Sequence, residues 1–85
     1  MKTYDFTLVL SGVAEMTEEI AEAIVAAGCD DGSPGSSGGS AFVVMHRQSE
    51  SLEAAIRSAI ADIHRAGFAV AHVVIEADAP AIQSV

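Results

Sequence analysis

Tryptophan is missing from this chain, tyrosine occurs once and phenylalanine three times in 85 residues. The interior must therefore be built from small aliphatic side chains, many of them alanine, and a core of that kind gains from association. Cations are scarce as well. Four Lys and Arg stand against twelve Asp and Glu, a formal net charge of −8. Nucleic-acid binding relies on cations that neutralise phosphates, and four scattered ones cannot lay that footprint. The same balance argues against anionic membrane surfaces. A basic protein partner, or plain solubility, suits the charge better. Cys29 is the one cysteine, which excludes an intrachain disulfide and points to the reducing cytoplasm. No segment approaches the roughly 20 apolar residues of a membrane span. Asp5 stands where a signal peptide needs an apolar run.

What is present is patterning. A chain of this length makes one domain, and it buries only roughly 60–65% of the surface exposed when unfolded. Residues 3–11 alternate, with Tyr4, Phe6, Leu8 and Leu10 on one face and Asp5, Thr7, Val9 and Ser11 on the other. That period of two predicts a half-buried strand, broken by Gly12. Thr17 is a good N-cap, Glu18 and Glu19 suit the first helical turn, and Ile20, Ala23, Ile24 and Ala27 follow at helical spacing. Gly28 then allows a left-handed C-terminal closure that sets Cys29 against Ile24. Ser49 or Ser51 can cap a second helix, whose stripe is Leu52, Ala55, Ile56, Ala59, Ile60 and Ile63. Gly67 ends it, with Phe68 against Ile63.

Two further strands are predicted at Ala41–Arg47 and at residues 69–77, the latter with Ala69, Ala71, Val73, Ile75 and Ala77 on one side. The biased stretch CDDGSPGSSGGS at 29–40 is too long for a structureless loop. It divides into a short edge strand at Cys29–Ser33 and a glycine-rich turn. The order is then βαββαβ, and the expected fold class is α+β: a ferredoxin-like two-layer sandwich, an antiparallel sheet with both helices on one face. Without the edge strand it reduces to βαβαβ. The domain is expected to span residues 1–78, followed by a flexible tail at 79–85.

Two helices on one face leave the other uncovered. Asp5, Thr7, Val9, Phe42, Val44, His46, Val70, His72 and Val74 are expected there, a set too apolar for a plain solvated face. It is the candidate interaction surface, for a homodimer or another protein partner. Little else suggests chemistry. Cys29 follows a helix C-terminus and precedes Asp30 and Asp31, all of which oppose a thiolate. The glycine-rich stretch leads into a strand rather than a helix, so it reads as a hairpin turn and not a phosphate loop. His46 and His72 flank the first strand with Asp5 between them, but residues two strands apart start about 10 Å from each other. No metal and no cofactor are expected. Asp30 and Asp31 are neighbours that point to opposite faces, which suits a solvated turn better than a paired-carboxylate site. No acid, base and nucleophile converge, so the chain is not expected to be an enzyme.

The segments YDFTLVLSG at 4–12, AGCDD at 27–31 and SLEAAIRSAIADIHRAG at 51–67 resemble the small α/β module at the amino terminus of bacterial helix-turn-helix or excisionase-like regulators. In that family a helix-turn-helix follows the module. With the sequence running only to Val85, the resemblance implies a regulatory or protein-binding role, antitoxin-like or accessory to a transcription regulator, without direct DNA binding. A small-molecule-sensing regulatory domain is the alternative.

Overall fold

The computed structural model describes residues 1–75. The chain runs β1 (Lys2–Ser11), α1 (Glu18–Ala26), β2 (Gly32–Ser37), β3 (Ser40–Ser49), α2 (Leu52–Arg65) and β4 (Ala69–Val74). The four strands form one antiparallel sheet in the order β2-β3-β1-β4, the ferredoxin-like arrangement. The expected domain boundary at 78, the tail at 79–85 and Ala77 lie outside the described residues. No helix is long and apolar enough to cross a membrane among the described residues.

Both helices begin and end as their sequences dictate. The Thr17 hydroxyl accepts from the Ile20 amide at 3.2 Å, and Ser51 accepts from Ala54 at 3.1 Å. Each cap satisfies an amide that the first turn would leave unpaired, typically about 1 kcal/mol of stability. At the other ends, Cys29 N–H donates to Ile24 O and Gly28 N–H to Val25 O, both at 3.1 Å. Phe68 and Gly67 repeat the pattern on Ile63 and His64, at 3.1 and 2.9 Å. These are paired Schellman closures, and they need the positive φ of Gly28 (127°) and Gly67 (95°).

The core lies between the helices and the sheet. Phe6, Leu8 and Leu10 of β1, Ala41, Val43 and Met45 of β3, Ile24, Cys29, Ala55, Ala59 and Ile63 are all buried. Each fully buried large aliphatic or Phe side chain contributes about 1.5–3 kcal/mol, so this cluster is the main stabilising term.

Two elements differ from expectation. The edge strand is not Cys29–Ser33 but Gly32–Ser37, so the glycine-rich segment is itself β2. The turn shrinks to Gly38 and Gly39, at φ 59° and 83°, the positive pair a two-residue hairpin requires. β2 has little strand propensity, and it is held by fit. A Cβ on Gly32 would stand 2.7 Å from Met45 Sδ and Val43 Cγ1, and one on Gly35 would stand 2.9 Å from the Phe42 ring. Pro34 is tolerated because β2 is an edge and Pro34 lies between the hydrogen-bonded pairs of the hairpin.

The second difference is in β4. Val9 pairs with His72, yet Leu10 pairs with Val70, so Ala71 is an extra residue in a bulge. The bulge reverses the alternation. Val70 joins Val73 against the core instead of lying on the open face where it was expected.

Candidate functional site

The face of the sheet that the described residues leave uncovered is organised in rows that follow from the strand register. Gly35, Phe42, Val9 and His72 lie side by side across the four strands. Ser33, Val44, Thr7 and Val74 form the next row, and His46 beside Asp5 the third. Eight of the nine residues expected on this face are therefore brought together, and Val70 is the exception. Phe42 adjoins Val9 on β1 and Val44 on β3, whereas Val74 lies on the edge strand β4 across Thr7 from Val44 and is 42% exposed. The Phe42 ring lies over Gly35, where an absent side chain leaves room for it.

Asp5 and His46 face each other on adjacent strands, with Nδ1 and Oδ1 2.7 Å apart and both side chains exposed. His72 is not part of this pair. It stands opposite Val9, four residues along β1 from Asp5, about 13 Å at strand rise. Among the described residues no group of three His, Cys, Asp or Glu side chains is placed to hold a metal ion.

A second constellation sits on the helix side, and sequence reasoning did not single it out. Arg47 alternates with Ala41, Val43 and Met45 and so points under the helices. Its guanidinium grips Asp31 with two parallel bonds, Nε to Oδ2 at 2.8 Å and Nη2 to Oδ1 at 2.9 Å. Nη2 also donates to Gly28 O at 2.9 Å and pairs with Asp62 Oδ2 at 3.0 Å. Nη1 donates to the Ser58 hydroxyl at 2.9 Å, which in turn donates to Ala55 O. Asp62 is buried in α2 and takes a second cation, Arg65, whose Nη2 also donates to Ala27 O at 3.0 Å. Helix α1 has no basic residue of its own, and Arg47 and Arg65 supply positive charge at its carbonyl end.

The electrostatics follow from this geometry. The Arg47 hydrogen bonds hold the Asp31 carboxyl below its ordinary value, and Asp31 in turn raises the pKa of Arg47. Burial, followed by the charge of Asp62, pushes the Cys29 thiol up to about 11. Cys29 is thus buried and protonated, as its position after the helix suggested. Asp31 departs from the expected solvated turn, because its carboxylate is committed to Arg47. An open depression of about 700 Å³ adjoins the cluster, lined by Gly28, Asp31, Arg47 and Asp62 among others. The charged groups at its floor are already bonded to one another. The arrangement is one that ties β3 to both helix ends.

No family model, curated protein or solved structure matches the chain.

Proposed function

We propose that this domain is a non-enzymatic, regulatory protein-interaction module that self-associates by stacking its open sheet faces. The observation that carries the reading is charge sorting. Of the carboxylates at Asp5, Glu15, Glu18, Glu19, Glu22, Asp30, Asp31, Glu50, Glu53 and Asp62, only Asp5 lies on the open face. It is held there by His46. Two chains of formal net charge −8 repel least across a surface that lacks those charges. Among the described residues this face is that surface, with Phe42, Val9 and Val44 in its middle and Val74 at its β4 edge.

The sheet edges favour stacking over sideways growth. On β2, Pro34 has no amide to donate and the Gly32 amide is taken by Cys29 O at 3.1 Å. On β4, the bulge at Ala71 bends the outer strand of the sheet. Face-to-face association therefore gives a closed pair rather than a fibre. The regulatory side of the proposal, an antitoxin-like or transcription-regulator accessory role, is supported by the likeness of residues 4–12, 27–31 and 51–67 to the module described above.

Size-exclusion chromatography with light scattering, from low to high micromolar concentration, tests the association. The wild-type chain should give a dimer mass, and Val44→Lys a monomer with an unchanged far-ultraviolet circular dichroism spectrum. A strict monomer at high micromolar concentration for the wild type would overturn the proposal.

A further inference from the structure

Helix α1 carries two stripes, and only one faces the core. Ile24 is its one fully buried residue, whereas α2 buries Ala55, Ala59, Asp62 and Ile63. The second stripe is Glu18, Ala21, Glu22 and Val25, spaced i, i+3, i+4 and i+7, with Ala26 beside it. Beneath it runs β2, whose residues on this side, Gly32, Pro34 and Ser36, are small. An open groove of about 380 Å³ results, lined by Ala21, Val25, Ala26, Pro34 and the stems of Glu18 and Glu22. Val25 is 43% exposed, one of only four large hydrophobic residues so exposed among the described residues.

The rim of this groove is charged with one sign. Helix α2 balances its own acids, Glu53 with Arg57 at 2.6 Å and Asp62 with Arg65. Helix α1 has Glu18, Glu19 and Glu22 and no cation, and none of the ion pairs among the described residues involves them. An apolar floor beneath an uncompensated acidic rim calls for a partner with apolar side chains between cations. An extended segment is disfavoured, because the edge of β2 is closed at Pro34 and Gly32. A helix is favoured, because Ala21 and Ala26 allow another helix to approach closely.

We propose that the groove between α1 and β2 docks a basic amphipathic helix of a partner protein, with leucine-like side chains over Val25 and Pro34 and Lys or Arg against Glu18 and Glu22. This site is separate from the open sheet face and does not rest on self-association.

Fluorescence anisotropy tests it with a labelled synthetic helix that carries Leu on one stripe and Lys on both flanks, beside a scrambled peptide of equal composition. The wild-type chain and the Val44→Lys variant should both bind the striped peptide at least about tenfold more tightly than the scramble, about 1.4 kcal/mol by the affinity relation. Added salt should weaken the binding. Glu18→Gln/Glu22→Gln and, separately, Val25→Ser should remove the preference while circular dichroism shows the fold retained. Equal affinity for the two peptides, no binding of either, or full affinity in both groove variants would overturn the docking site. Loss of binding in Val44→Lys alone would move the contact to the sheet face and overturn the proposal as well.

Discussion

Replacing Arg47 with methionine keeps most of the side-chain volume and removes every bond of the guanidinium. Asp31 then loses both its bonds to Arg47, Gly28 O loses a donor, and Asp62 keeps only Arg65. Removing one partner of a buried ion pair typically costs 3–5 kcal/mol, because the other charge stays behind unpaired. Two features reduce that figure here: the Asp31 side chain is 32% exposed, and Asp62 retains a cation. The expected loss is about 2–4 kcal/mol. A domain of this size has a total stability of roughly 4–13 kcal/mol, so the loss is large. Urea unfolding followed by circular dichroism is the assay. At a slope of about 1 kcal/mol per molar, the midpoint should fall by about 2 M or more. Arg47→Lys restores the charge without the fork and should recover part of the loss. Acid adds a second readout. The folded pKa of Asp31 lies below its unfolded value, so its stabilisation is complete above the unfolded carboxylate range and is lost as pH falls through the folded value. That acid dependence should shrink in Arg47→Met. A methionine variant within about 1 kcal/mol of the wild type, with an unchanged acid profile, would refute the role given to the cluster.

Gly28→Ala should destabilise by about 2 kcal/mol or more in the same urea assay, since φ is 127° and the new Cβ would stand 2.8 Å from the Asp62 carboxylate; a neutral result would contradict that close approach. The Cys29 thiol is raised from 9.0 to about 11, so its contribution is fully present below pH 9, the unfolded value, and is lost as pH rises through the folded one. The wild-type midpoint should therefore fall between pH 9 and 11 more steeply than that of Cys29→Ala, and parallel curves would argue against the raised thiol. Val70→Asp should cost about 2 kcal/mol by setting an unpaired carboxylate against the core at a partly buried position, whereas His72→Asp should cost less than about 1 kcal/mol. The opposite ranking would mean that β4 runs without its bulge.

Much of the fold is written locally. Thr17, Ser51, Gly28 and Gly67 mark the helix ends by chemistry that needs only neighbouring residues. The alternation in β1 fixes its register because polar and apolar side chains differ in three of its four pairs, Tyr4/Asp5, Phe6/Thr7 and Leu10/Ser11. β4 carries no such information: in AVAHVV nearly every position is apolar, so a slip of one residue leaves the pattern unchanged. The bounds of β2 are hidden for a related reason. Gly, Ser and Pro report a turn by propensity, and the contacts that make them a strand come from Met45, Val43 and Phe42 on the partner.

The arginine cluster was harder still, since Gly28, Asp31, Arg47, Ser58 and Asp62 are drawn together only by the fold. A signal was nevertheless present. Arg47 falls on the inward positions of β3, and Asp62 interrupts the apolar side of α2 beside Ala59 and Ile63. A cation and an anion on two core-facing stripes have to find each other.

The central position of β1 has a consequence for how the chain comes into being. β1 is made first among the described elements, and it needs neighbours on both sides: β3, and then β4, which is made last. Thr7 waits for Val74, and Ser11 for Ala69. While the chain emerges, the β1–α1–β2–β3 portion can form its hairpin and its first helix, but one flank of β1 keeps its backbone groups unpaired. Closing that flank joins residues from opposite ends of the domain, the slow kind of contact. Assembly of the described elements therefore turns on a single decisive pairing, and until it occurs the strand that anchors the core is also the strand most open to a neighbouring nascent chain.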